Sequence, residues 1–148
     1  MLKFIIKPMS VNSMYFRNRK YNTEARAYRT NFLEQLQSDC NQSYLDSIKS
    51  KFDKNKHYLS ISFIFHIPKN KFFTKKGYIS RNSMDLDNRL KPIIDFICSA
   101  KYNDRGYVNL DIDDQFIGEL SALKRPSIND EYQVFISLEV KPLSCLEV

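Results

Sequence analysis

Three patterns in the 148-residue chain predict an α+β fold, a two-layer sandwich in β-α-β-α-β-β order with two helices on a mixed or mostly antiparallel sheet. HYLSISFIFHI (57–67) alternates apolar and polar residues at period two, as does YQVFISLEV (132–140). Two stretches of helical spacing, one ahead of the first run and one between the two, supply the helices. The length suits one domain, 1–148.

The elements follow in order. LKFII (2–6) reads as a short strand stopped by Pro8, and PMSVNSMYFRNRKYN reads as a polar, aromatic loop. Thr23 is the expected N-cap of a helix running to about Lys51. Its stripe is Tyr28, Phe32, Leu36 and Cys40, then Leu45, Ile48 and Phe52, with a break near Asp39–Ser43. In the strand 57–67, Leu59, Ile61, Phe63, Phe65 and Ile67 share one face, and Pro68 ends it. A basic loop, PKNKFFTKKGYISRN, leads to a helix with Leu90, Ile93, Ile94 and Ile97 in one stripe. Pro92 costs about 3 kcal/mol deep inside a helix, so this helix should start near Asp87 or Asn88, with either as cap. The loop YNDRGYVNLDIDD and two strands, Phe116–Lys124 and Tyr132–Val140, close the chain.

Composition excludes several classes. Hydrophobic residues make up 43%, too many for a disordered chain. No apolar run nears the roughly 20 residues that span a bilayer, and the apolar start MLKFIIKP is too short for a signal peptide. A cytoplasmic protein is expected. Cys40, Cys98 and Cys145 are too few and too scattered for a disulfide framework or a zinc site. The net charge of +6 is uneven: residues 1–81 hold 16 Lys and Arg against 5 Asp and Glu, while 82–148 hold 7 against 12. A surface that attracts polyanions thus adjoins a concentration of carboxylates.

The stretch SMDLDNRLKPIIDF (83–96) places Asp85 and Asp87 just ahead of a helix. On an extended approach, residues two apart point the same way, so both carboxylates should project together while Leu86 faces the core. One aspartate there is explained by capping. A second adds repulsion that capping does not need and that a hard divalent cation, Mg²⁺ or Mn²⁺, would relieve. NLDIDDQFIGEL offers Asp111, Asp113 and Asp114 as further ligands. It is not an EF-hand, because position six is Phe116 and position twelve is Ala122. Lys91 and Asp95 share a helix face, and an i,i+4 ion pair with Asp87 or Asp95 is the plain reading of Lys91.

Three segments together resemble the RusA-type Holliday junction resolvases, a family common in phages and prophages. Its N-terminal signature is matched by Pro8-Met9-Ser10-Val11-Asn12 with Tyr15, and its central one by Asp85, Leu86, Asp87, Asn88, Lys91 and Asp95. Its downstream pair and strand are matched by Asp113, Asp114, Glu119 and Lys124. Two departures stand out: the segment before the Asp pair is longer, and Phe116 occupies the usual Gln position, with Gln115 one place earlier.

The resemblance implies a Mg²⁺-dependent endonuclease, with Mn²⁺ as a substitute, acting as a homodimer on four-way DNA junctions in recombination and repair and leaving a 5′-phosphate. It implies catalytic Asp85, Asp87, Lys91 and Asp114, with metal on Asp85, Asp87 and Asp114; Asp113 or Asp111 is open as an alternative ligand. For DNA contact, Lys69, Lys71, Lys75, Lys76 and Arg81 surround Phe72, Phe73 and Tyr78 just before the aspartates, with Arg17, Arg19 and Asn12 as a second group beside Lys20. Two alternatives stay open: a nuclease for other branched or flap DNA, and a non-catalytic DNA-binding protein. No membrane partner is expected.

Overall fold

A computed structural model describes residues 1–15, 19–103 and 106–147, with side chains omitted over 19–22. The elements are β1 (Leu2–Ile5), α1 (Val11–Tyr15), α2 (Arg19–Leu36), α3 (Asp39–Lys51), β2 (His57–Ile67), α4 (Lys69–Phe72), α5 (Asp87–Cys98), β3 (Ile117–Pro126) and β4 (Gln133–Pro142). The sheet runs β1-β4-β2-β3; β4 is antiparallel to both β1 and β2, and β3 is parallel to β2. This is the expected α+β class with a mixed sheet.

Alternation decides which sheet face is covered. Leu2 and Phe4, then Leu59, Ile61, Phe63 and Phe65, then Val134, Ile136 and Leu138 are buried in one core with Phe32 and Leu36 of α2, Leu45 and Ile48 of α3, and Ile93, Phe96 and Ile97 of α5. Phe32 stacks on Phe4 with ring centres 4.0 Å apart and also meets Phe96 at 5.3 Å. One cluster of rings therefore joins the sheet to α2 and α5. The opposite sheet face carries Ser60, Ser62 and Ser137 and stays open.

The helical region differs from expectation in three ways. Residues 11–15 and 19–22 are helical rather than loop, so Thr23 lies inside α2 and cannot be its cap. The long helix breaks at Gln37–Ser38, where Ser38 caps α3 by accepting from Asn41 N. That break resets the helical phase and leaves Cys40 exposed rather than in the stripe. Cys98 is buried and Cys145 exposed, both as free thiols. Among the described residues no helix is long and apolar enough to cross a membrane.

The edge strand β3 starts with a register shift against Leu59 and Ser60 at Gly118. A Cβ there would come within 2.5 Å of the Tyr58 ring, so only glycine fits. The shift turns Leu120, Ala122 and Lys124 toward the helix side of the sheet; they pair with Ile61, Phe63 and Phe65.

Candidate active site

Hydrogen bonds tie the segments at both ends of α5. At its C-terminal end, Ile97 O and Cys98 O accept from Leu110 N (2.8 Å) and Ile112 N (3.1 Å). Buried Asn109 donates through Nδ2 to Phe96 O (3.0 Å) and Ser99 O (2.7 Å), which serves carbonyls the helix leaves open. These bonds bring residues 111–114 to the α5 terminus. At the other end, Lys124 Nζ donates to Ser83 Oγ (2.8 Å) and Met84 O (3.0 Å), fixing the approach to α5 against β3. Met84 has φ of +73°, a left-handed conformation costly for a side chain with a Cβ.

Between those ties lies a groove of about 440 Å³, lined by Asp87, Lys91, Asp95 and Asp114 with Leu90, Ile94, Ile117 and Leu120. A second cavity of about 350 Å³ shares Asp95 and Asp114 and adds Asp111, Asp113 and Cys98. Burial pushes the Cys98 thiol up to about 12, and the carboxylates of Asp114 and Asp95 push the same way. The two acidic segments, far apart in sequence, therefore meet on one side of the fold.

The expected residues divide. Asp87 lies in the first turn of α5 and lines the groove. The position before the helix belongs to Leu86, which offers no side-chain cap, so neither Asp87 nor Asn88 caps it. Leu86 is itself helical (φ −63°, ψ −47°) and only partly buried against the core. The approach is thus not extended, and the argument that Asp85 and Asp87 must project together fails. Asp85 is exposed and is not among the groove's lining residues. Asp113 caps the short 3-10 turn Asp114–Phe116 by accepting from Gln115 N at 3.0 Å. Among the described residues the carboxylates of Asp85, Asp87 and Asp114 make no hydrogen bond or ion pair.

Lys91 reaches Asp95 Oδ2 at 3.7 Å, one of the two i,i+4 pairs its spacing allows. With Lys91 61% exposed, that pair contributes about 0.3–0.5 kcal/mol and leaves the ammonium available to a ligand. Asp95 lines both acidic cavities, which its spacing four beyond Lys91 and eight beyond Asp87 could have signalled. Tyr15 was matched to the N-terminal signature without a role; its hydroxyl donates to Asp95 Oδ2 at 2.8 Å. Burial, and then the Asp95 hydrogen bond, raise the Tyr15 phenol well above its ordinary range, so it stays a donor.

The carboxylates do not form a closed cage. Asp87 and Asp95 are eight residues apart, about 12 Å along the helix. Among the described residues no three His, Cys, Asp or Glu side chains stand close enough to hold one ion. The all-oxygen donor set still fits a hard divalent cation. Mg²⁺ is commonly bound through one or two carboxylates, with waters and substrate phosphates completing its shell.

The basic segment before α5, expected as loop, instead opens with the one-turn helix α4 and closes in a 3-10 turn, Arg81–Ser83, because Pro68 and Ser80 stand at the N-terminal ends of these turns. Lys69, Lys71, Lys75, Lys76 and Arg81 are exposed around a Phe73–Ile79 bridge, with Gly77 at φ +87° in the turn. Phe72 is buried beneath it, while Phe73 (38%) and Tyr78 (70%) reach solvent. Asn12 is exposed in α1. Arg17 and the side chains of Arg19 and Lys20 lie outside the described residues. Glu119 sits on the open sheet face, where it accepts from Tyr58 Oη and meets Lys141 Nζ at 3.1 Å; it takes no part in the groove. No protein-family model matches the chain, and no curated protein or solved structure matches it.

Proposed function

We propose that the groove between α5 and β3 is the active site of a divalent-metal-dependent endodeoxyribonuclease that resolves four-way DNA junctions as a homodimer. The observation that carries this reading is the meeting of Asp87, Lys91, Asp95 and Asp114 in one groove, with Asp87 and Asp114 unengaged among the described residues. Carboxylates kept open beside the exposed Lys91 suit the hydrolysis of an anionic ester. The sequence resemblance narrows the substrate to branched DNA.

Asp87 and Asp114 are the residues that would hold the cation, with Asp95 lining the same groove. A bound Mg²⁺ or Mn²⁺ would lower the pKa of water and offset charge on the phosphate. The chain's own groups do the rest. Lys91 can swing from Asp95 to the phosphate and stabilise the charge that develops there. Tyr15 holds Asp95 in place by its hydrogen bond. The exposed lysines of the loop 69–81 neutralise strand phosphates, and Tyr78 offers a stacking face at an unpaired base. Two-fold pairing of chains gives two sites for symmetric cutting.

A substrate panel tests this. Synthetic four-way junction, flap and duplex DNA are each incubated with the protein and Mg²⁺. Paired symmetric nicks confined to the junction, and lost with EDTA, are expected. Equal cutting of all three would assign a broader nuclease. Binding without cutting in Mg²⁺ and Mn²⁺ would assign a non-catalytic DNA-binding protein.

A further inference from the structure

A third cavity, of about 280 Å³, has the opposite chemistry. It lies between α1, α2 and the 3-10 turn Ala100–Tyr102 that follows α5, and its lining includes Tyr15, Arg26, Arg29, Lys101 and Tyr102. It gathers three cations and no carboxylate among its lining residues. Arg26 and Arg29 are three apart on α2, so both guanidiniums leave the same helix face. Among the described residues neither has an ion-pair partner. Lys101 Nζ rests over the Tyr102 ring at 5.1 Å, and that ring packs edge-on to Phe96 of the core at 5.2 Å.

Three like charges in one concavity repel each other, and among the described residues its lining offers no carboxylate to offset them. An oxyanion offsets all three. Guanidinium forks match phosphate oxygens two at a time, and an ammonium adds a point charge. The position supplies the second half of the argument. Tyr15 lines this pocket, while its hydroxyl bonds to Asp95 of the acidic groove at 2.8 Å. One side chain therefore separates the basic pocket from the acidic one.

We propose that Arg26, Arg29 and Lys101 form a seat for a backbone phosphate of the DNA strand that enters the acidic groove, setting the strand's register on the enzyme. This rests on the DNA-cleaving reading above. It adds a contact that neither the loop 69–81 nor the N-terminal basic residues supply. Seating one phosphate against three cations also answers how an anionic strand is held beside a cluster of aspartates.

The test is equilibrium binding of a labelled four-way junction in EDTA, across a salt series, with the full chain. EDTA removes cleavage, so the measurement is independent of whether the protein is a nuclease. Arg26→Gln/Arg29→Gln should weaken binding about tenfold or more and lower the slope of log K against log salt by about 1. Arg26→Lys/Arg29→Lys should keep most of that slope. Lys3→Gln/Lys49→Gln, with equal charge removed from β1 and α3, should change both far less; matched melting curves show that each variant folds. If the Arg pair and the control pair shift binding equally, the seat is refuted. The same holds if wild type binds no junction, or if inorganic phosphate alone binds wild type while the Arg pair leaves junction affinity intact. Wild type that binds with the predicted slope loss yet never cuts in Mg²⁺ or Mn²⁺ would keep the seat and discard the nuclease.

Discussion

Lys124 Nζ donates to Met84 O at 3.0 Å, tying the C-terminal part of an edge strand to the strained turn that delivers Asp87. The same ammonium donates to Ser83 Oγ at 2.8 Å, and Ser83 is buried. Replacing Lys124 by Met leaves the Ser83 hydroxyl and Met84 carbonyl short of a donor. A loss of about 1–3 kcal/mol is expected in chemical denaturation. Cleavage should fall more than junction affinity, since the turn before Asp87 is freed. An unchanged denaturation midpoint would show that the clamp does not hold in solution.

Asn109 does for the far end of α5 what Lys124 does for the near end. Besides its two donations, its Oδ1 accepts from Asp111 N at 2.9 Å. Asn109→Ala should cost about 2–4 kcal/mol, because several buried partners are orphaned at once. Amide exchange should rise across 109–114 before it rises in β2. Uniform exchange changes would argue against a local role.

The two neighbouring aspartates of the downstream segment should separate by function. Asp113 is occupied as a cap, and Asn caps as well as Asp, so Asp113→Asn should cut junctions near the wild-type rate. Lys91→Ala should reduce turnover by about 100-fold or more with little loss of affinity, in keeping with charge stabilisation during the reaction. A defect in affinity alone would return Lys91 to its ion pair with Asp95.

Glu119 carries a pH signature remote from the groove. The Tyr58 hydroxyl, followed by Lys141, holds its carboxyl below the ordinary value. A lowered carboxylate stabilises the fold above its unfolded pKa and loses that contribution as pH falls through the folded one. Lys141 is raised, and burial-aided bonding to Glu119 lifts the Tyr58 phenol to about 12, so their contributions persist until alkaline pH. Glu119→Gln should therefore lower the melting temperature at pH 7, with the gap closing toward pH 3. A gap that is constant with pH would remove the electrostatic account.

Much of this was legible in the residues. The strand 57–67 matches β2 end to end because Leu59, Ile61, Phe63, Phe65 and Ile67 hold one buried face at period two. The stripe Leu90, Ile93, Ile94 and Ile97 located α5, although Pro92 stands inside it at the sixth position rather than in the first turn. The N-terminal helices were missed because residues 11–22 are polar and aromatic with no apolar period. Sheet order was not readable, since alternation gives faces and not neighbours. The site was half legible. The acidic pair pointed to Asp87 and the resemblance to Lys91 and Asp114, while Asp95 went unread as a site residue and Leu86, helical rather than extended, undid the pairing of Asp85 with Asp87. The Tyr15–Asp95 bond joins residues 80 apart and leaves no local mark.

The most direct measurement is nucleotide-resolution cleavage of a labelled four-way junction by wild type, Asp87→Asn and Asp114→Asn, each with Mg²⁺ and with EDTA. Paired nicks from wild type in Mg²⁺ only, and none from either variant despite retained or tighter binding, is the predicted result. Undiminished nicking by both variants, or an intact wild type that nicks nothing in Mg²⁺ or Mn²⁺, would contradict it.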